Sequence, residues 1–224
     1  MRYDIERLKN ACPELKQIVC LKICSSTNQI ARDIAEDEDA DRVLVLTELQ
    51  TDGRGRLGRS WVYSDGGIAM SLMFRPELKN DTLPMMTLIA ALAVHDAILE
   101  LTGLETQIKW PNDIYCSGRK ICGILTEGVL NGSSSFAVLG IGLNLNQTGL
   151  PEEISTTALS VKMISGKDTC PEDMISSIIT GFFAYLTKLA NDGNMSALKD
   201  IYNRYCIPGN EIDENGQQVL HSGI

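Results

Sequence analysis

The sequence predicts an α+β fold: a mixed, mainly antiparallel central sheet with helices packed on one face. Three observations carry that expectation. Strand-type runs cluster between about 106 and 146 and follow one another through the turn signals Ser117-Gly118 and Asn131-Gly132. Helix-type patterns flank the cluster, over 83–101 and 172–190. The 224 residues, 44% hydrophobic and 22% charged, suffice for one sizeable domain with an ordinary core.

Each element has a local reason. Residues 1–11 read as a short helix and 18–24 as a strand. Ser26 with Gln29 three residues on is a capping-box pattern that opens a helix over about 27–36. The β-branched run 42–49 is a strand, a Gly/Arg-rich loop covers 50–60, and Ile68–Phe74 is the next strand. A nearly all-apolar helix over 83–101 has Asp81 or Thr82 as N-cap, Pro84 in its first turn and Gly103 past its end. Strands over 106–110, 114–116, 120–129 and 135–146 come next. In the helix over 172–190, Ile175, Ile178, Ile179, Phe182, Leu186 and Leu189 recur at helical spacing, and a shorter helix is expected over 196–204.

Two strands share an asymmetry. Ile68, Met70, Leu72 and Phe74 alternate with Gly67, Ala69 and Ser71, while Ala137, Leu139, Ile141, Leu143 and Leu145 alternate with Gly140, Gly142, Asn144 and Asn146. Period-two geometry places each small set on one face. If the two small faces adjoin, the sheet has a shelf for a flat molecule; tight helix packing is the other reading.

Composition excludes several classes. The net charge of −9 opposes generic nucleic-acid affinity, although much of it lies in the solvated run Glu36-Asp37-Glu38-Asp39-Ala40-Asp41. The seven cysteines contain no C-x-x-C pair and no secretory leader is visible, so reduced thiols and a cytoplasmic setting are expected. Cys20, Cys24 and Cys122 read as small hydrophobes. His95 and His221 have no ligand-spaced companion, so neither a protein metal site nor a Ser-His-Asp triad is expected. The apolar run over 83–101 carries His95, Asp96 and Glu100, which argues against a membrane span.

Three constellations carry chemistry. Asp52-Gly53-Arg54-Gly55-Arg56-Leu57-Gly58-Arg59-Ser60-Trp61 packs three glycines and three arginines together, a cationic patch able to approach carboxylate or phosphate closely. Like unit charges 4 Å apart repel by about 4 kcal/mol at an effective dielectric of about 20, so an acidic protein that joins two anions needs such a patch. Lys109-Trp110-Pro111-Asn112-Asp113 makes a fixed bend that suits either a purine or a plain hairpin corner. Lys120, after Arg119, enters the apolar run Ile121-Cys122-Gly123-Ile124-Leu125, which is costly unless it meets an anion or snorkels at an edge.

Together and in this order these motifs resemble the biotin–protein ligase (biotin–[acetyl-CoA-carboxylase] ligase) family. The resemblance rests on Ser25-Ser26-Thr27-Asn28, Gln50, Gly-Arg-Gly-Arg-x-Gly-Arg over 53–59, Trp61, Lys-Trp-Pro-Asn-Asp over 109–113, Arg-Lys-x-x-Gly-Ile-Leu over 119–125 and Gly-x-Gly-x-Asn over 140–144. It implies a class II synthetase-like biotin/lipoate ligase fold. It also implies formation of biotinyl-5′-AMP from biotin and ATP, with Mg²⁺ accompanying ATP, and transfer to a lysine of a biotin carboxyl carrier protein or carboxylase domain.

By the same resemblance Ser26, Thr27, Asn28, Gln50, Arg54, Gly55, Arg56, Lys120 and Gly123 take biotin. Arg56, Trp61, Lys109, Asn112, Lys120 and Asn144 take ATP. Arg54, Arg56 and Lys120 do the catalytic work, and Asp113 is a candidate helper for the magnesium. The domain expected is a catalytic unit over 1–206, with 207–224 a remnant or start of an SH3-like β-domain, enough for one hairpin. No helix-turn-helix unit precedes it, so DNA is not an expected partner. Oligomeric state stays open, a homodimer included. The alternatives are a lipoate or octanoate ligase or transferase and, more distantly, an RNA-binding Gly-Arg module, which the acidic balance and 5% aromatic content disfavour.

Overall fold

A computed structural model of the chain describes residues 2–76, 82–129 and 135–219. Asp81, the Asn131-Gly132 turn and His221 lie outside the described residues. The first half runs α1 (Ile5–Ala11), β1 (Gln17–Leu21), α2 (Thr27–Ile34), β2 (Val43–Thr47), β3 (Gly53–Arg54), a 3-10 turn (Arg56–Gly58), β4 (Ser60–Trp61), β5 (Ile68–Phe74) and α3 (Leu83–Thr102). The second half runs β6 (Gln107–Lys109), β7 (Asp113–Cys116), β8 (Arg119–Val129), β9 (Phe136–Leu143), α4 (Glu152–Ser155), α5 (Val161–Ser165), α6 (Pro171–Asp192) and α7 (Lys199–Tyr205).

Seven strands form one sheet in the order β1-β2-β5-β9-β8-β7-β6, and β3 with β4 makes a separate two-stranded ribbon. Among the described residues only β1 and β2 run parallel, and the other pairings in the sheet are antiparallel. The Ser117-Gly118 turn joins β7 to β8 with both residues at positive φ, 51° and 74°, the twist that closes a two-residue hairpin.

α3 lies across one face and is apolar all round because it is sandwiched between the sheet and α6. Its C-terminus is closed by Gly103 at φ 70°. Phe74 of β5 meets Phe182 of α6 edge to face at 5.3 Å. This face holds the main core: Leu44, Leu46, Met70, Leu72, Leu139, Ile141 and the buried side of α3.

Helices are not confined to that face. α2 packs on the opposite side, where Ala31 and Ala35 meet Val43, Val45, Met73 and Val138. The reason is in β2: all five of its residues are buried, so Val43 and Val45 need cover as much as Leu44 and Leu46 do. Other expected elements shift at their ends. β1 stops at Leu21, with Cys24 left in a single parallel bridge to Gln50, and β9 stops at Leu143, before Asn144 and Asn146. The short helices α4 and α5 were not anticipated, since four and five residues are too few for a periodic pattern.

Residues 207–219 fold back onto the same body. Ile212 is 1% exposed in the main core and exchanges two hydrogen bonds with Asn203, while Trp110 Nε1 donates to Gly216 O at 3.3 Å. One antiparallel bridge, Ile212 to Gln218, is the extent of its β-structure among the described residues.

Candidate active site

The small faces of the two strands do adjoin. β5 and β9 pair so that Ala69 faces Gly142 and Ser71 faces Gly140, and β8 adds Gly123 beside Gly142. Ala69, Gly123, Gly140 and Gly142 floor a cavity of about 170 Å³ on the face away from α3, with Ser71 buried beside it against Thr27 and Asn28. The indole of Trp61 lies on this floor: a side chain at Gly142 would run into its ring, and one at Gly123 would come within 3.1 Å of Cζ3. Packing thus requires glycine here for close approach. This cavity lies below the usual range for ligand pockets, about 300 Å³ upward.

One end of the slot is the N-terminus of α2, with Ser26, Thr27 and Asn28 buried. The expected capping box does not form. Ser26 makes no side-chain cap and Gln29 turns away to Asp33, at 2.8 Å. Gln50, 23 residues on in sequence, does the capping instead: its Oε1 accepts from the Thr27 backbone N–H at 2.9 Å. The chain crossing from β2 brings it there, and the helix end adds partial positive charge to the slot.

The roof is the 53–61 ribbon, with Arg54, Arg56 and Arg59 exposed along it. Arg54 Nη1 lies 3.4 Å from Gln29 Oε1, and Arg56 Nη1 donates to Asn112 Oδ1 at 3.3 Å. Gly55 N–H to Arg59 O, 2.7 Å, closes the ribbon next to its turn. At its tip Leu57 is 89% exposed at φ 56°, a left-handed conformation that a leucine rarely adopts.

The far end carries Lys120. Its Nζ pairs with Asp113 Oδ1 at 2.7 Å and lies 5.5 Å from the Trp61 ring centre. Lys120 and Gly123 both line the cavity although an unbroken strand would face them oppositely. Tyr115 pairs with Lys120 but Ile114 pairs with Cys122, so Ile121 is an extra residue, a bulge that turns the lysine to the floor side. The backbone N–H of Asn144 holds the bulged Ile121 carbonyl at 2.9 Å, and Lys120 bonds on both sides to the 157–159 segment.

Arg54, Arg56, Arg59 and Lys120 against Asp113 leave the lining with four cations and one carboxylate, a net of +3 in a chain of −9. Of the residues singled out in the sequence, Ser26, Thr27, Asn28, Gln50, Arg54, Gly55, Arg56, Trp61, Asn112, Lys120 and Gly123 all line this one cavity. Two do not. Lys109 lies on the exposed side of the terminal strand with its ammonium over Tyr115, 5.3 Å from the ring centre. The side chain of Asn144 is buried past the end of β9 and accepts from Gln147. The indole beside the slot is Trp61, whereas Trp110 is committed to the 207–219 segment. Ser71 was missed as a site residue; its place on the small face was the available signal. Among the described residues no group of three metal-ligating side chains occurs.

The chain is similar to several known proteins. A biotin protein ligase from Aquifex aeolicus, solved in complex with biotin and ATP, matches with a TM-score of 0.80 at 27% identity, covering 92% of each chain. The bifunctional ligase/repressor BirA of Bacillus subtilis is 38% identical over 164 residues, 71% of this chain and 50% of that protein. The biotin–[acetyl-CoA-carboxylase] ligase of Paracoccus denitrificans is 35% identical over 155 residues, 66% of this chain and 65% of that protein. The chain spans about half the length of the Bacillus relatives it matches. A glycine-floored cationic slot thus lies on a mainly antiparallel sheet covered by helices, an α+β architecture like that of the Aquifex aeolicus structure. The model of the Biotin/lipoate A/B protein ligase family matches residues 20–144, and the chain belongs to that family.

Proposed function

We propose that the chain activates biotin with ATP as biotinyl-5′-AMP and passes the biotinyl group to a lysine of a biotin carboxyl carrier protein in the cytoplasm. The observation that carries this reading is the convergence of Arg54, Arg56 and Lys120 on one slot whose floor is glycine. Biotin's flat bicycle suits that floor, and its carboxylate would lie toward the guanidinium groups and the ammonium. The carboxylate then attacks the α-phosphate, pyrophosphate leaves, and the cations neutralise the charge gathering between the reactants. This is electrostatic preorganisation. Asp113 keeps Lys120 oriented until a phosphate competes for it. Mg²⁺ accompanying ATP would be held mainly by phosphate oxygens and water, with Asp113 as the candidate protein contact, and would help neutralise the phosphate charge.

The roof supports a gating role. Its exposed Leu57 gives it apolar surface to bury on closing, which would shield the mixed anhydride from water. Biotin is favoured over lipoate or octanoate by the polar end of the slot. Thr27 Oγ1 and Gln50 Nε2, oriented by Asn28 and Ser71 behind them, suit a cyclic urea and would be left unmatched by a dithiolane or alkyl chain.

Lys120→Ala and Arg54→Ala test this. Each should lower biotin-dependent pyrophosphate release about 10²- to 10³-fold, the usual loss when one preorganised charge donor is removed. Thermal stability should hardly change, since both side chains border solvent. Release that survives both substitutions, or that wild-type protein shows with lipoate and not with biotin, would sink the assignment.

A further inference from the structure

We infer that Glu127, held by Arg32, is a positioning residue that sets the direction of a hydrogen-bond chain ending in the polar end of the slot, and thereby selects ligands carrying an N–H beside a carbonyl. The inference rests on the biotin reading above and goes beyond it. Neither residue lines the cavity; both lie outside its polar end.

The direction follows from counting protons. Arg32 Nη1 holds Glu127 Oε1 at 3.0 Å, and Glu127 Oε2 accepts from Asn28 Nδ2 at 2.9 Å. A carboxylate can only accept, so the nitrogen end of the Asn28 amide must face it, and Asn28 Oδ1 must face Ser71. Ser71 Oγ lies 2.6 Å from Asn28 Oδ1, and that oxygen also only accepts, so the one Ser71 proton is committed there. The Ser71 and Thr27 hydroxyl oxygens lie 2.8 Å apart, so the proton between them has to come from Thr27. Gln50 Oε1, 3.2 Å from Thr27 Oγ1, is the more distant competitor and already receives the Thr27 backbone N–H.

Two consequences reach the slot. Thr27 Oγ1 is left with lone pairs, an acceptor for a ligand N–H. Gln50, with its oxygen turned to α2, has its Nε2 protons to donate to a ligand carbonyl. The matching head group is a cyclic urea or lactam; an acid ending in a dithiolane or an alkyl chain leaves both groups unpaired in a desolvated pocket. Gly140 belongs to the same device, because any side chain there would collide with the Asn28 carboxamide resting on it.

Glu127→Gln breaks the rule at its source, since the new amide can donate as well as accept and lets Asn28 turn over. In steady-state pyrophosphate release, KM for biotin should rise about tenfold. KM for ATP and kcat should stay within about twofold, and the preference for biotin over lipoate should shrink with the biotin KM. Glu127→Asp should recover most of the biotin KM. Arg32→Met, at a half-exposed position with little folding risk, should give a smaller rise in the same direction. An unchanged biotin KM in Glu127→Gln and Arg32→Met overturns the inference, as does a KM for ATP that rises in step with that for biotin. Wild-type protein inert toward biotin would overturn the ligase reading and this inference together, whereas an active wild type with indifferent variants overturns this inference alone.

Discussion

The two faces of β5, β8 and β9 are built from alternate residues of the same strands, yet they differ in almost every physical respect. Toward α3 they present Met70, Leu72, Ile124, Leu139, Ile141 and Leu143, all buried in one continuous core. Toward the slot they present Ala69, Ser71, Gly123, Gly140 and Gly142, and the volume those residues leave is taken by Trp61, the Asn28 carboxamide and the cavity. The difference teaches that stability and recognition are divided across a single sheet. One set of positions stabilises the fold by excluding water. The other gives up that contribution so that aromatic, polar and charged groups from α2, the ribbon and the bulge can reach the backbone.

If the division holds, truncation on the packed face should act on stability alone. Leu139 is 1% exposed beneath α3. Leu139→Ala should lower unfolding free energy by about 2–5 kcal/mol, the range for a large-to-small change in a packed core. Denaturant melts would read it. KM for biotin at a temperature where the variant stays folded should match wild type. A biotin KM that moves with stability would show that strain crosses the sheet.

A smaller effect, with the opposite signature, is expected one residue and a half-turn of pleat away from that core. Gly142 has no unusual backbone angle, so alanine is sterically admissible to the main chain, but its methyl would run into the Trp61 indole. Gly142→Ala should therefore displace the ring, costing about 1–3 kcal/mol of ligand affinity as overpacking usually does. Calorimetry with biotin should show the loss while the melting temperature stays close to wild type. A stability loss larger than the affinity loss would place the indole in the core rather than in the site.

The division also explains what could be read from the sequence. Period-two counting in 67–74 and 137–145 recovered the shelf, because a strand's faces are written directly in alternate letters. It could not recover the place of Lys120 by counting, since three positions from Gly123 is the wrong parity and only the Ile121 bulge corrects it. Pairing register is a property of two strands and is not legible in either alone. The same holds for Gln50, which caps α2 across 23 residues and replaces a capping box that Ser26 and Gln29 advertised locally. Helices were expected on one face only, although the unbroken apolar run Val43-Leu44-Val45-Leu46 already called for cover on both, and α2 supplies the second. Lys109 sits inside a recognisable motif, but alternation around the buried Ile108 sends it outward, away from the cavity lining.

The smallest effect tests the packed face by pH. His95 of α3 is 1% exposed; its Nδ1 lies 2.7 Å from Thr106 Oγ1, its ring stacks on Tyr205 with centres 3.9 Å apart, and Nε2 is buried without a partner among the described residues. Burial pushes its pKa below the ordinary histidine value, against the weaker upward pull of Asp96, the Thr106 hydrogen bond and Glu105. The unfolded chain therefore binds the proton first as pH falls. His95 costs the fold nothing above about pH 6.5 and destabilises it progressively below, as the unfolded state takes up a proton that the folded state resists. Wild-type melting temperature should fall between pH 7 and 5 by more than that of His95→Gln, which keeps a partner for Thr106 and does not titrate. The difference should be less than the Leu139→Ala loss, and biotin affinity should be the same for the two proteins at each pH. Parallel melting curves for the two proteins would mean that acid acts on some other group, and a divergence in affinity would mean that the packed face and the slot are coupled after all.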